Sequence, residues 1–272
     1  MQLPVMPPIK PMLARATTTV PEADGLLYEP KWDGYRCVVF RDGDEVELSS
    51  RGQKSLTRYF PELIDPIRAQ LPRRCVVDCE VVVVTPDGLD FDLLGQRIHP
   101  AESRIERLSV ETPASLVVFD LLALDEVDLR PMAFIERRGA LVSLLADVIP
   151  PVHLSPVTDD PEVAQDWFRR FEGAGFDGVM AKRSDGVYEE DKRSLTKVKH
   201  RHSIDVVVAG YRPHKSGDGV GSMMLGLYDR PEGDRAASLQ HVGVASAFKA
   251  AQRPELAELL APYRLGEGEP LP

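Results

Sequence analysis

Three cysteines in 272 residues are too few and too odd in number for a disulfide scaffold. Cys75 and Cys79 lie in one expected strand, with no second cysteine pair or Cys/His cluster to complete a zinc site, so they read as buried or half-buried thiols. No apolar run approaches the length of a membrane span. The opening M-Q-L-P-V-M-P-P-I-K lacks the basic region and apolar run of a signal peptide, and the expectation is a cytoplasmic protein. Nothing repeats, and no low-complexity tract occurs. An overall excess of positive charge is missing too: the formal net charge of -10 argues against a general nucleic-acid coat protein.

What is present is the make-up of an ordinary globular chain, 43% hydrophobic and 28% charged, long enough for one large domain or two. The mean charge hides local basic clusters. Arg51, Lys54 and Arg58 lie close together, and Lys192 to His202 carries Lys192, Arg193, Lys197, Lys199, His200, Arg201 and His202. Arg137 and Arg138, on an expected helix, read as a solvated face. In Thr196-Lys197-Val198-Lys199 the alternation puts both lysines on one side of a strand. Two such ammonium groups repel unless an anion lies between them.

Strands are expected at Cys37 to Phe40, Val46 to Leu48, Val76 to Thr85, Ser115 to Leu122 and Gly178 to Lys182, from β-branched runs bounded by Gly, Pro or Asp. Helices are expected where Phe60, Leu63, Ile64, Ile67 and Leu71 make a buried stripe, and from Arg137 to Ile149 with Leu141, Leu144, Leu145 and Val148 inward. A third opens at Asp160-Pro161-Glu162 and ends at Gly173 or Gly175. After His202 the texture changes. Asp205 to Tyr211, Ser222 to Tyr228 and Leu239 to Val244 read as short strands, Ala250 to Leu260 as a helix, and Gly266 to Pro272 as a polar tail. Three strands are two short of a five-stranded barrel.

The groups that could carry chemistry sit in or beside these strands. In Glu29-Pro30-Lys31-Trp32-Asp33-Gly34-Tyr35-Arg36 a lysine stands among acidic groups, next to a D-G pair that by itself reads as a hairpin turn. Glu80 lies inside an apolar strand, where a carboxylate is costly unless it binds something. Ser50-Arg51-Gly52, Asp78-Cys79-Glu80, Phe119-Asp120, Asp177-Gly178-Val179-Met180-Ala181-Lys182 and Lys197-Val198-Lys199 follow in order. Singly each is weak: Phe119 suits a core, Asp120 a cap, Asp177-Gly178 a turn.

Taken together with Lys31-Trp32-Asp33-Gly34, they resemble the ordered motifs of the covalent nucleotidyltransferases, and within these the ATP-dependent DNA ligases. Pro11-Met12-Leu13-Ala14, Gly210-Tyr211-Arg212, Leu225-Gly226-Leu227-Tyr228 and His241-Val242-Gly243 look like the compact bacterial C-type ligases, relatives of the ligase module in end-joining enzymes. The resemblance implies an α+β fold: an adenylation domain of antiparallel sheets with flanking helices over residues 1–202. It also implies the first part of a truncated OB-fold barrel over 203–272, with the family's last basic motif beyond Pro272.

It further implies a site. Lys31 would take AMP from ATP, with Asp33 beside it and Lys197 and Lys199 on the α-phosphate. Glu80 and Arg36 would hold the ribose, Phe119 would stack on adenine, and Glu29, Met180 and Lys182 would complete the nucleotide pocket. Arg51 would meet a DNA 5′-phosphate, and Asp177, with Asp120 as a second candidate, would bind Mg²⁺ or Mn²⁺. The family usually has glutamate at Asp177, and the shorter side chain can reach Mg²⁺ through a water. The implied partners are nicked or broken duplex DNA, ATP, and end-joining or repair proteins. The rival readings are an RNA-capping guanylyltransferase and a catalytically silent nucleotide- or DNA-binding module.

Overall fold

The computed structural model describes residues 1–170, 176–199, 203–217, 219–230 and 238–265. The expected end of the third helix at Gly173 or Gly175, the basic residues His200, Arg201 and His202, and the polar tail lie outside them. The chain divides into two compact units, Met1–His200 and Arg201–Pro272.

Unit one is built on two sheets, with strands numbered in chain order. The larger has the order β4 (Glu45–Ser50), β3 (Tyr35–Asp42), β5 (Arg74–Thr85), β7 (Ala114–Leu124) and β8 (Val127–Asp128), with β6 (Gly88–Leu89) on β5 and β9 (Val152–Leu154) on β7. The smaller has the order β1 (Ala14–Thr17), β11 (Leu195–Val198), β10 (Phe176–Arg183) and β2 (Leu26–Trp32). Pairing is antiparallel as expected, except that β1 runs parallel to β11 and β9 parallel to β7.

The central strands β5 and β7 are buried on both sides because they are sandwiched. Alternation assigns each side. Cys37, Val39, Cys79 and Val81 join a core with Phe60, Leu63 and Ile67. Val38, Phe40 and Val76 face the other way, onto Leu3, Val5, Ile9, Met12, Tyr188 and Leu195. Since side chains alternate with a period of two, Arg36, Asp78 and Glu80 share the face of Val38 and Val76. All three cysteines are buried and unbridged.

The helices depart from expectation in detail. The stripe from Phe60 to Leu71 divides into a short 3₁₀ turn at Pro61–Leu63 and α1 (Ile64–Gln70), because Pro61 and Pro66 interrupt regular backbone pairing. Helices α2 (Phe91–Gln96) and α3 (Glu102–Glu111) escaped the sequence reading, while α4 (Phe134–Leu144) starts earlier and ends sooner than expected. Helix α5 (Pro161–Arg170) opens as expected, with Asp160 Oδ1 accepting from the Glu162 amide at 2.8 Å.

Unit two carries an antiparallel sheet of β12 (Val207–Pro213), β13 (Val220–Tyr228) and β14 (Leu239–Ala245), then α6 (Gln252–Leu260). Among the described residues no helix is long and apolar enough to cross a membrane.

Candidate active site

Lys31 lies inside β2, a strand absent from the sequence expectation, and does not merely precede one. Its neighbours Asp33 and Gly34 do not make a hairpin, because β2 pairs with β10 in the smaller sheet whereas β3 pairs with β4 and β5 in the larger. The D-G pair carries the chain from one sheet to the other. Only glycine fits there: a Cβ on Gly34 would stand 2.2 Å from the Val81 carbonyl oxygen.

Two irregularities aim the chemical groups. In β10 the pairing steps from Phe176↔Trp32 to Val179↔Pro30, so Asp177 and Gly178 together oppose Lys31. Gly178 has φ +130, and a Cβ would meet the Val198 carbonyl oxygen at 1.8 Å, so this bulge needs glycine. Asp177 Oδ2 then lies 2.6 Å from Lys31 Nζ and also pairs with Lys199. In β7 the register passes from Cys79↔Val118 to Asp78↔Asp120 and steps over Phe119, the extra residue of a second bulge.

The two sheets enclose a groove of about 850 Å³ lined by Lys31, Asp33, Arg36, Arg51, Glu80, Phe119, Asp177, Met180, Lys182, Lys197 and Lys199, with Glu29 in its wall. Every residue expected at the site lines it except Asp120. That carboxylate is buried and held bidentately by Arg137, at 2.9 and 3.0 Å, so the expectation of a metal ligand there is corrected. The solvated-face reading of Arg137 and Arg138 is corrected with it. Both are buried in α4, Arg137 against Asp120 and Arg138 against Glu29 at 3.4 Å and the Ser155 carbonyl. Burying a guanidinium, which keeps its charge, is tolerated only with such partners.

Glu29 is also paired with Lys182 at 2.6 Å, and the Lys182 ammonium lies 4.8 Å from the Phe119 ring centre. Trp32, next to Lys31, donates its indole N–H to Ser155 Oγ at 3.0 Å. Asp78, Ser155 and Tyr188 were given no role from the sequence. A lone buried polar residue in an apolar run was the available signal, and it was used for Glu80 alone.

The electrostatics follow from this crowding. Burial alone would raise the Asp177 carboxyl, but the hydrogen bonds and charges of Lys199 and Lys31 outweigh it and hold it below the usual range. Asp177 is thus an anion shared between Lys31 and Lys199. Burial, then Lys199 and Lys31, lowers the Lys197 ammonium, while burial and nearby Asp177 raise the Asp33 carboxyl. Burial in the groove wall pushes Glu80 up to about 7, against the pull of Arg36 and Lys31.

A groove lined by a paired amine, further cations and a flat ring is suited to a nucleotide phosphate and base. The chain is 52% identical over 267 residues to DNA ligase C of Mycobacterium tuberculosis, covering 96% of this chain and 73% of that protein. It is 50% identical over 279 residues to DNA ligase C1 of Mycolicibacterium smegmatis, covering 99% and 78%. Mycobacterial DNA ligase D complexed with ATP and MES superposes with a TM-score of 0.58 at 29% identity, over 97% of this chain and 82% of that one. The ligase domain of M. tuberculosis LigD gives 0.56 at 29%, with the same coverage. Residues 11–199, which contain every groove-lining residue named above, match the family model for the ATP dependent DNA ligase domain, and the chain belongs to that family.

Proposed function

We propose that the chain seals nicks in duplex DNA in three transfers, the observation that carries this being Lys31 in the groove, paired with Asp177 and accompanied by Lys197 and Lys199. Lys31 Nζ, once deprotonated, attacks the α-phosphorus of ATP. A P–N bond forms, the bond to the bridging oxygen breaks, and pyrophosphate leaves with that electron pair. An oxygen of the DNA 5′-phosphate then displaces the lysine, which recovers its proton. The 3′-hydroxyl oxygen finally attacks the same 5′-phosphorus and expels AMP.

Lys197 and Lys199 offset charge on the α-phosphate, and Phe119 and Met180 flank adenine, with Glu29 and Lys182 at its edge. Glu80 and Arg36 hold the ribose hydroxyls; Arg51 meets the 5′-phosphate. Asp177 offers a hard oxygen donor, which suits a cation that keeps most of its waters. Held through Asp177, Mg²⁺ or Mn²⁺ would supply positive charge that disfavours protonated Lys31 and neutralises phosphate. On this reading residues 1–202 are the adenylation domain and 203–272 the start of an OB-fold, in a cytoplasmic enzyme that works with DNA end-joining or repair proteins.

Intact-mass spectrometry tests the first transfer: one AMP is gained from ATP and removed by pyrophosphate, and a nicked duplex is sealed. Labelling from GTP instead would favour the capping reading. No label from either would favour a silent binding module.

DNA affinity should fall at least about tenfold between roughly 50 and 200 mM salt despite the acidic total charge, because Arg51 and the Lys192 to Lys199 segment release counterions on meeting phosphates. Base sequence should hardly matter. A flat salt response would remove the phosphate-binding assignment.

Glu80 gives a pH signature. As a carboxylate it accepts strongly from a ribose hydroxyl, and below its raised pKa of about 7 that form is depleted. Affinity for adenosine, measured by calorimetry, should rise from about pH 6 to about pH 8, approaching tenfold per unit on the acid side. The slope should vanish in Glu80→Gln; an unchanged slope would show that another group titrates.

A further inference from the structure

The Arg36 guanidinium is fixed from two directions. Its Nε and Nη2 donate to Asp78 Oδ1 and Oδ2, both at 2.5 Å, and its Cζ lies over the Phe119 ring, 4.5 Å from the ring centre. The bidentate pair leaves Nη1 outside it, in a side chain that lines the groove. Asp78 is completely buried and does not line the groove. Its orientation is set from behind, by Tyr188, which comes from the segment that follows β10.

Tyr188 Oη donates to Asp78 Oδ2 at 2.6 Å and accepts from the Met12 amide at 3.3 Å. Because the Met12 N–H occupies the acceptor side of this oxygen, its hydrogen is directed at the carboxylate. The tyrosine cannot swing: it is buried in the core with Val38, Phe40 and Leu195, and Arg137 lies 5.8 Å from its ring centre. Burial pushes its phenol well above the ordinary range and the Asp78 charge adds to this, so Tyr188 remains a donor at any working pH. The Met12 contact ties this line to the Pro11 to Ala14 segment at the groove edge.

We propose that Tyr188 is a positioning residue for the nucleotide: acting through Asp78, it holds Arg36 at the angle at which the free guanidinium edge grips a ribose hydroxyl. Tyr188 itself touches no substrate. The inference rests on the reading that Arg36 and Glu80 hold the ribose. It has a specific consequence, because an arginine held at one angle rewards a hydroxyl in one place, whereas a loosened arginine rewards it less. Removing the Tyr188 hydroxyl should therefore weaken discrimination between ATP and an analogue that lacks the hydroxyl.

The test is a cycle of two enzymes and three nucleotides. Covalent AMP formation on the full chain is followed with ATP, 2′-deoxy-ATP and 3′-deoxy-ATP, for the wild type and Tyr188→Phe, with thermal midpoints recorded alongside. The wild type should prefer ATP over at least one analogue. In Tyr188→Phe the KM for ATP should rise about tenfold, as for loss of one hydrogen bond to a charged group, with kcat nearly unchanged. The preference over that analogue should shrink by a similar factor, while KM for the analogue itself barely moves. A merely structural role would lower the thermal midpoint and weaken all three nucleotides equally, and that result overturns the proposal.

Asp78→Asn cuts the same line one link nearer Arg36 and should show the same collapse of preference. Full discrimination retained in either variant also overturns the proposal. A wild type that treats all three nucleotides alike would instead defeat the ribose reading beneath it, so the two failures are told apart by the wild-type row alone.

Discussion

Lys31→Ala leaves no covalent AMP on the chain at any ATP concentration: that is the expected result, and Lys31→Arg is expected to be equally inactive. A guanidinium remains protonated at every working pH and so lacks the lone pair that must reach phosphorus. Folding should survive both changes. The Lys31 side chain stands in the groove and not in the core, and Asp177 keeps Lys199 as a partner when Lys31 is gone. Mass spectrometry after incubation with ATP and Mg²⁺, beside a thermal melt, reads both halves. An alanine variant that melts normally and still acquires AMP would move the nucleophile elsewhere.

Asp120→Ala should destabilise the fold by about 3–5 kcal/mol, because it strands the buried Arg137 guanidinium without its bidentate partner. Arg137 would keep the carbonyls of Met132 and Gly186 and the rings of Phe134 and Tyr188, none of which can neutralise it. Replacing the pair together, as Asp120→Leu with Arg137→Met, should recover much of the loss, since no uncompensated charge then remains. Denaturant unfolding of the single and double variants measures this. Were Asp120 a metal ligand instead, the single change would spare stability and raise the Mg²⁺ concentration needed for adenylylation.

The contrast between Asp120 and Asp177 marks how far sequence reasoning reaches here. Both are carboxylates beside a hydrophobic strand, and the family resemblance offered both as metal ligands. What separates them is the partner each meets, and the one that claims Asp120 lies 17 residues downstream on a helix. Arg138 meets Glu29 across a separation of 109 residues. No local pattern announces such pairs, so both arginines read as solvated.

The period-two strands were legible because β-branched runs leave little choice of partner face, and Arg36 and Glu80 came with them. Strand β2 was not, since Leu26–Trp32 mixes a proline, a glutamate and a lysine among its apolar residues. The bulges were equally hidden. Each shifts one residue against a neighbouring strand, and that neighbour is distant in sequence.

The bulge at Phe119 sets unequal limits on how this chain can change over generations. Leu116 and Val118 on one side of it and Leu121 on the other reach the same core only because an additional residue stands between them. Dropping one codon there would turn the residues just beyond it over, carrying Leu121 out of that core and Asp120 into it. Substitution carries no such penalty, because another flat ring could replace Phe119 without moving its neighbours. Lineages descending from this chain should therefore vary in the identity of the residue at position 119 while keeping the spacing between Val118 and Leu121 unchanged.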